Sequence, residues 1–245
     1  MLDVALKKLD RLPDEQKVRL IPSLKQELFK NDLYMFAKYL LGYKDLNWDT
    51  HGETITVLES EAKRKIIVLP RGSFKSSLAC VAYPMWRLER DPNLTILLDS
   101  ELYMNSRNFL REIKGHYASS KYTDVFGDRV GLKWGENEIV VSHRIKNVKE
   151  ASATAGGYGT QKTGQHFDLI IGDDYNSNKN SDTTEKCQKV IDHVRYNLNI
   201  LNPGGEYVFV GTRYSERDVI GWLLKEVLDE PHLADGKMMR SVMGA

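Results

Sequence analysis

Residues Lys65 to Leu78 read Lys-Ile-Ile-Val-Leu-Pro-Arg-Gly-Ser-Phe-Lys-Ser-Ser-Leu, and this stretch limits the fold more than any other. Its first part is a short apolar run rich in β-branched residues, the pattern of a buried strand. Pro70, Gly72 and Ser73 then break the run into a loop. From Lys75 onward the apolar residues Leu78, Cys80, Val81, Met85 and Leu88 recur at helical spacing. Strand, tight loop and helix start are the parts of a phosphate-binding loop. In such a loop the backbone N–H groups and helix N-terminus face an anion, a Lys reaches the phosphates, and a hydroxyl serves Mg²⁺. Here those roles fall to Lys75 and Ser76. Against the generic spacing G-x-x-x-x-G-K-[ST], Leu69 and Phe74 stand where the two glycines belong. The plainer reading of the stretch alone is a strand, a turn and a helix with an exposed Lys.

A second motif lies downstream. Asp168-Leu169-Ile170-Ile171-Gly172-Asp173-Asp174 is an apolar strand that delivers two adjacent carboxylates at its C-terminal end, the edge where α/β sheets bind ligands. Successive strand side chains face opposite ways, but at a strand tip two acids can serve one site: Asp173 for Mg²⁺ and Asp174 to orient the attacking water. Adjacent carboxylates repel unless a cation is near, so the pair and the Lys75–Ser76 loop strengthen each other. A further buried strand, Tyr207 to Val210, ends in Gly211-Thr212-Arg213, where a polar Thr and an Arg suit a sensor of the γ-phosphate.

The remaining chain supplies context. Its 245 residues, 41% hydrophobic, suit one large α/β domain. The net charge of +1 does not announce a nucleic-acid binder. Cys80 and Cys187 fall on apolar helix faces and read as core thiols in a reducing compartment. No apolar run is long enough to span a membrane. Met1 to about Tyr43 reads as two or three short helices punctuated by Pro13 and Pro22: a lid or docking arm, or more plainly packing against the main domain. Trp48, Thr50 and His51 begin a helix; Trp48 could stack on adenine and Thr50 or His51 bond to it, although a lone Trp and His there are more often structural. The cations Arg107, Arg111 and Lys114 read as a polyanion contact or, more plainly, a solvated helix face. Leu132 to Ser142 reads as a β-hairpin. Val141 to Gln165 holds Arg144, Lys146, Lys149 and Lys162 with several glycines and reads as a mobile basic segment. Ser181 to Glu185 carries a capping-box pattern, Pro203-Gly204-Gly205 a turn, and Asp218 starts a last helix. Lys237 to Ala245 shows no pattern, as if cut at a domain edge.

Together, Pro70-Arg71-Gly72-Ser73-Phe74-Lys75-Ser76, then Thr163-Gly164 leading to the acidic strand, then Gly211-Thr212-Arg213, resemble the ATPase domain of the large terminase subunit, the motor that packages DNA into tailed-phage capsids. The likeness runs from about Leu33 to Asp218. It implies an α/β P-loop NTPase fold of the ASCE/RecA-like class: a mostly parallel sheet flanked by helices. Residues 1–45 would be the N-terminal helical arm and residues 46–245 the ATPase domain, without the family's C-terminal nuclease domain. It implies ATP and Mg²⁺ as cofactors, with Pro70 to Ser77 as the Walker A loop and Arg71 as a mobile loop Arg. Asp173 is then the Walker B metal acid beside Ser76, Asp174 stands where most members have Glu, and Thr212 lies in the coupling motif. In some members an Arg just before the loop Gly acts in trans on a neighbour; Thr163 occupies that place here, leaving Arg144 or Lys162 as the candidate trans cation. The implied partners are double-stranded DNA, the portal protein, the small terminase subunit and further copies of the chain in a ring, with a monomer in isolation. The implied setting is the host cytoplasm, docked on the procapsid. The alternatives are another DNA-translocating ATPase of helicase type, or a P-loop module that binds DNA or partners without catalysis.

Overall fold

A computed structural model describes residues 14–160, 162–177, 180, 182–213, 218–229 and 238–242. They form eight strands in one sheet with helices on both faces. Helix α1 spans Asp14–Asn31, and α2 (Leu33–Met35) runs on into a wider π-type turn, Phe36–Leu40. Helix α3 (Trp48–Glu59) leads to β1 (Arg64–Val68). Helix α4 begins as a π-type turn, Ser77–Ala82, and continues as α-helix over Tyr83–Arg90. Then follow β2 (Ile96–Ser100), α5 (Tyr103–Tyr117), α6 (Ser120–Phe126), β3 (Val130–Trp134), β4 (Glu138–Val141) and β5 (Ala153–Ala155). The chain closes with β6 (Phe167–Asp173), α7 (Thr184–Asn199), β7 (Leu201–Gly211), α8 (Val219–Asp229) and β8 (Met238–Val242).

The spatial order is β3-β4-β5-β2-β6-β7-β1-β8. From β5 to β8 every pairing is parallel; only β3–β4 and β4–β5 are antiparallel. Parallel strands covered on both faces must be apolar on both, and strand alternation divides those side chains between two cores. Ile67, Leu98, Leu169, Ile171, Val208 and Val210 pack with α4 and the N-terminal helices. Ile66, Leu97, Ile170, Tyr207 and Phe209 pack with α7 and α8. Because β6, β7 and β1 are adjacent and parallel, their C-terminal tips lie side by side at one edge. The connection out of β1 runs towards β2, while that out of β7 runs past β1 to β8. The two leave in opposite directions, which marks the place where such sheets bind ligands.

Several expectations change here. Pro22 does not divide the N-terminal stretch: α1 runs through it, its later turns tied down by buried Phe29 and by Gln26 Nε2 donating to Val125 O at 2.5 Å. Tertiary packing offsets the missing proline N–H. Met1 to Pro13 lies outside the described residues. Phe29, Leu33, Phe36 and Leu40 belong to the same core as the sheet. The basic segment Val141 to Gln165 is not simply a mobile loop, since it contributes β5, and residues 150–157 are buried. Three residues of mostly small side chains give no periodic signal, which is why the strand is invisible in the sequence. Pro203-Gly204-Gly205 lies within β7, where the register to β6 shifts; a bulge absorbs the turn residues. Thr183 caps α7, accepting from Lys186 N at 3.3 Å; Ser181 lies outside the described residues. Residues 238–242, without pattern in the sequence, pair with β1 in parallel.

Candidate active site

The loop after β1 and the tip of β6 meet. Ser76 Oγ donates to Asp173 Oδ1 at 2.8 Å, and Lys75 Nζ stands 3.7 Å from Asp174 Oδ2. Both first partners of the acids come from the start of α4, as strand–loop–helix geometry requires. Thr212, at the tip of β7, joins the two motifs. Its N–H donates to Asp174 Oδ1 at 3.0 Å, and its hydroxyl donates to Leu69 O, at the root of the loop, at 3.2 Å. The loop is braced internally by Ser73 Oγ donating to Pro70 O at 2.7 Å.

Two backbone kinks make this convergence. Among the described residues, Phe74 (φ 58°) and Asp174 (φ 42°) are the non-glycine residues with positive φ. Such conformations cost about 1–3 kcal/mol each and gather at functional sites. Alternation along β6 would send Asp173 to the α4 face and Asp174 to the α7 face. The left-handed turn at Asp174 instead brings its carboxylate round to Lys75 and Thr212, so both acids serve one side. In the loop, Gly72 also has positive φ (81°), as its type permits without strain. Phe74 has no such freedom. Its ring is held edge-on against His51 (5.4 Å) and tilted against Tyr43 (6.1 Å).

Electrostatically the site is an unbalanced one. Lys75 is 5% exposed and Asp173 4% exposed. Burial, then the adjacent Asp174, push the Asp173 carboxyl up to about 7; the Ser76 hydroxyl, Lys75 and the Cys80 thiol pull the other way without cancelling the rise. A buried carboxylate beside a hydroxyl, short of positive charge, is a donor set for a hard cation that takes oxygen ligands. Among the described residues no group of three or more His, Cys, Asp or Glu could hold a metal by itself. Mg²⁺ is a hard cation of this kind, and commonly takes one or two carboxylates together with substrate phosphates and water.

The other named residues fall in different places. Pro70 and Arg71 lie on the exposed side of the loop, and Ser77 begins the first turn of α4. His51 touches the loop through Phe74, but it is buried and its Nδ1 engages Asn47 O at 3.0 Å. Trp48 packs over Gly52 of its own helix and edge-on to Tyr34 at 5.5 Å, while remaining half exposed. Arg144 Nη1 donates to Glu150 O at 2.7 Å, and its other guanidinium nitrogens are buried without hydrogen-bond partners. Lys162 Nζ donates to Ala155 O at 3.0 Å. Burial lowers the basicity of both. Arg107 bridges to Glu136, and Lys114 reaches the carbonyls of Trp134 and Gly135; these cations fasten the β3–β4 turn.

Residues without a motif of their own also converge here. Tyr43, which holds Phe74, donates its hydroxyl to Glu112 at 2.9 Å. Behind Asp174, the Tyr175 hydroxyl donates to Asp99 Oδ2 at 2.7 Å, and His193 and Asn197 share that oxygen. Their one sequence signal is position: Asp99 near the end of β2, and Tyr175 directly after the acidic pair.

No family model matches the sequence, and no curated protein matches it. Among solved structures, a variant of S. cerevisiae Dbp5 bound to Nup159, Gle1, IP6 and ADP aligns with a TM-score of 0.48 at 10% identity, over 86% of this chain and 52% of that one. The chain thus spans about half the length of that structure's chain. A likeness of this degree identifies neither a family nor a function.

Proposed function

We propose that this chain is an Mg²⁺-dependent ATPase of the P-loop class, and that it is the ATPase part of a terminase-like motor that moves double-stranded DNA. The observation that carries the reading is the meeting of Ser76 with Asp173 at 2.8 Å, beside Lys75 and Asp174. A hydroxyl, a metal-type acid, a buried ammonium and a second acid on neighbouring strand tips are the parts phosphoryl transfer needs. Ser76 and Asp173 would hold Mg²⁺, which neutralises charge on the phosphates when bound. Lys75 binds and orients the terminal phosphates. Asp174, kept in place by the Thr212 N–H, orients water and accepts its proton. Thr212 also bonds to Leu69 O, so displacement of Asp174 is passed to the root of the loop. That link is a physical route for coupling hydrolysis to movement.

The proposed partners follow the terminase resemblance: DNA, portal protein, small subunit and a ring of identical chains. A cation from a neighbour, Arg144 or Lys162, would complete the site once released from its own carbonyl. Steady-state turnover of ATP by the purified chain tests the core of the reading. It should require Mg²⁺ and disappear in Lys75→Ala and Asp173→Ala. Turnover that persists in both variants would sink the assignment. Turnover per molecule that rises with protein concentration, or with DNA and portal, would support the ring.

A further inference from the structure

Tyr175 lies in no motif, yet the chain turns around it. It follows Asp174, whose positive φ of 42° turns the backbone out of the β6 alternation. Its ring folds back beneath the last turn of the strand: a Cβ built on Gly172 would come within 2.5 Å of it. The ring is fully buried in the core shared with α7 and α8. Its hydroxyl donates to Asp99 Oδ2 at 2.7 Å, and Asp99 is the register partner of Gly172 on the adjacent strand β2.

Asp99 is itself fixed from several sides. The same oxygen lies 2.6 Å from His193 Nε2 and accepts from Asn197 Nδ2 at 2.7 Å, both on α7. Asn197 Nδ2 also reaches the Tyr175 hydroxyl at 3.0 Å. His193 is enclosed by the rings of Tyr158 (5.2 Å) and Tyr175 (5.3 Å), and Tyr158 N donates to Ser100 O at 2.9 Å. A carboxylate receiving charge-assisted hydrogen bonds from two elements is a rigid post.

From this arrangement we propose that Tyr175 is the positioning residue for Asp174, and that Asp99 is its anchor. The inference rests on the ATPase reading for its catalytic consequence, but not for its geometric one. A left-handed Asp relaxes unless its neighbours prevent it. On one side Asp174 N is fixed to Val210 O at 2.9 Å. On the other, the Tyr175–Asp99 bond fixes the residue that follows. With both held, the Asp174 carboxylate stays against the Thr212 N–H and Lys75. If the Tyr175 hydroxyl is lost, the backbone at Asp174 can relax, and the carboxylate leaves Thr212 while the metal acid Asp173 keeps its place in the strand.

Tyr175→Phe in the full chain tests this, since it keeps the ring beneath Gly172 and removes only the hydroxyl. Hydrogen–deuterium exchange at the Thr212 amide, read without nucleotide, should speed up about ten-fold, the scale of one charge-assisted hydrogen bond. The melting temperature should fall only by what one buried hydrogen bond contributes. kcat for ATP should fall about ten-fold without a rise in KM. In an Asp99→Ala background the same substitution should add little further, because the acceptor of the Tyr175 hydroxyl is already gone. Unchanged exchange at Thr212 overturns the proposal. So does a rise in exchange that is uniform over the sheet and no larger at Thr212, which marks a merely structural role. If the wild-type chain does not turn over ATP, the ATPase reading fails, and exchange at Thr212 still decides whether Tyr175 positions Asp174.

Discussion

The ammonium of Lys75 lies 3.7 Å from the carboxylate of Asp174, so the proposed phosphate-binding charge is matched by the proposed water-orienting acid. The terminal phosphates of ATP would have to compete with that carboxylate for Lys75, and would be repelled by it. Under the proposed mechanism the acid that would assist hydrolysis would therefore also weaken binding.

Asp174→Asn should accordingly bind ATP several-fold more tightly, while hydrolysing it at least ~100-fold more slowly, the scale of a lost catalytic base. Asn retains an oxygen that can accept from Thr212 N, so the loop geometry should persist. Calorimetric titration with ATP and a turnover assay read the two effects separately. Full turnover by this variant would remove Asp174 from the water-orienting role.

A pH-dependent stability should trace to Asp173. Its carboxyl is raised to about 7 by burial and by Asp174, while in the unfolded chain it titrates near ~3.9. Because the folded value is the higher one, the stabilising effect of binding the proton is full below pH ~4 and is lost as pH rises through 7. Asp173→Asn carries no such charge. In the absence of nucleotide and metal it should raise the melting temperature, and the gain should grow from about pH 4 to 7 and then level off. With Mg²⁺ and ATP the wild-type carboxylate gains a cation and the advantage of the variant should shrink. A melting-temperature difference that does not change with pH would show that Asp173 is not the group responsible.

Much of this frame was legible because the signals were periodic. Ile66 to Val68 and Leu169 to Ile171 are apolar at every position, and that composition alone announces strands covered on both faces. Lys75, Ser76, Asp173 and Thr212 could be named because each sits where a strand tip or helix start must lie. What stayed hidden was non-periodic or depended on distant partners. Strand β5 is three residues long, Met238–Val242 pairs through its backbone, and α1 continues across Pro22 because packing outweighs local preference. Phe74 looked like a defect in the loop, since nothing in the sequence brings Tyr43 and His51 against it. Asp99, His193 and Asn197 lie far apart in the chain, and only the β2–β6 register and the placement of α7 bring them to Tyr175.

At the opposite end of the strands from the site, Lys65 Nζ lies 2.7 Å from Glu206 Oε1, donates to Leu58 O and meets the Tyr83 hydroxyl, while Arg87 closes on the other oxygen of Glu206. Glu206 thus compensates two cations, one of them fully buried. Glu206→Gln should destabilise the protein by about 3 kcal/mol, the range for removing one partner of a buried pair. It should leave the KM for ATP unchanged, because the cluster touches none of the loop residues. Urea unfolding with a parallel kinetic assay checks both; a changed KM at wild-type stability would contradict the separation.

The sharpest test of the loop itself is a comparison of two truncations at Phe74. At most positions Ala is more stabilising than Gly by ~0.4–1 kcal/mol, because Gly gains more freedom on unfolding. Phe74 sits at φ 58°, where any residue with a Cβ is strained by roughly 1–2 kcal/mol. The native ring offsets that strain by packing between His51 and Tyr43. Phe74→Ala loses the ring and keeps the strain, whereas Phe74→Gly loses the ring and relieves it. Both variants should therefore be less stable than wild type, but the usual order should invert, with Gly above Ala by about 1 kcal/mol in urea unfolding. Both should also raise the KM for ATP, since the loop loses its attachment to the N-terminal helices and must be ordered by the nucleotide. If Ala proves the more stable of the two, Phe74 does not hold a left-handed conformation in solution. The loop would then be shaped by something other than the contact between Phe74, His51 and Tyr43.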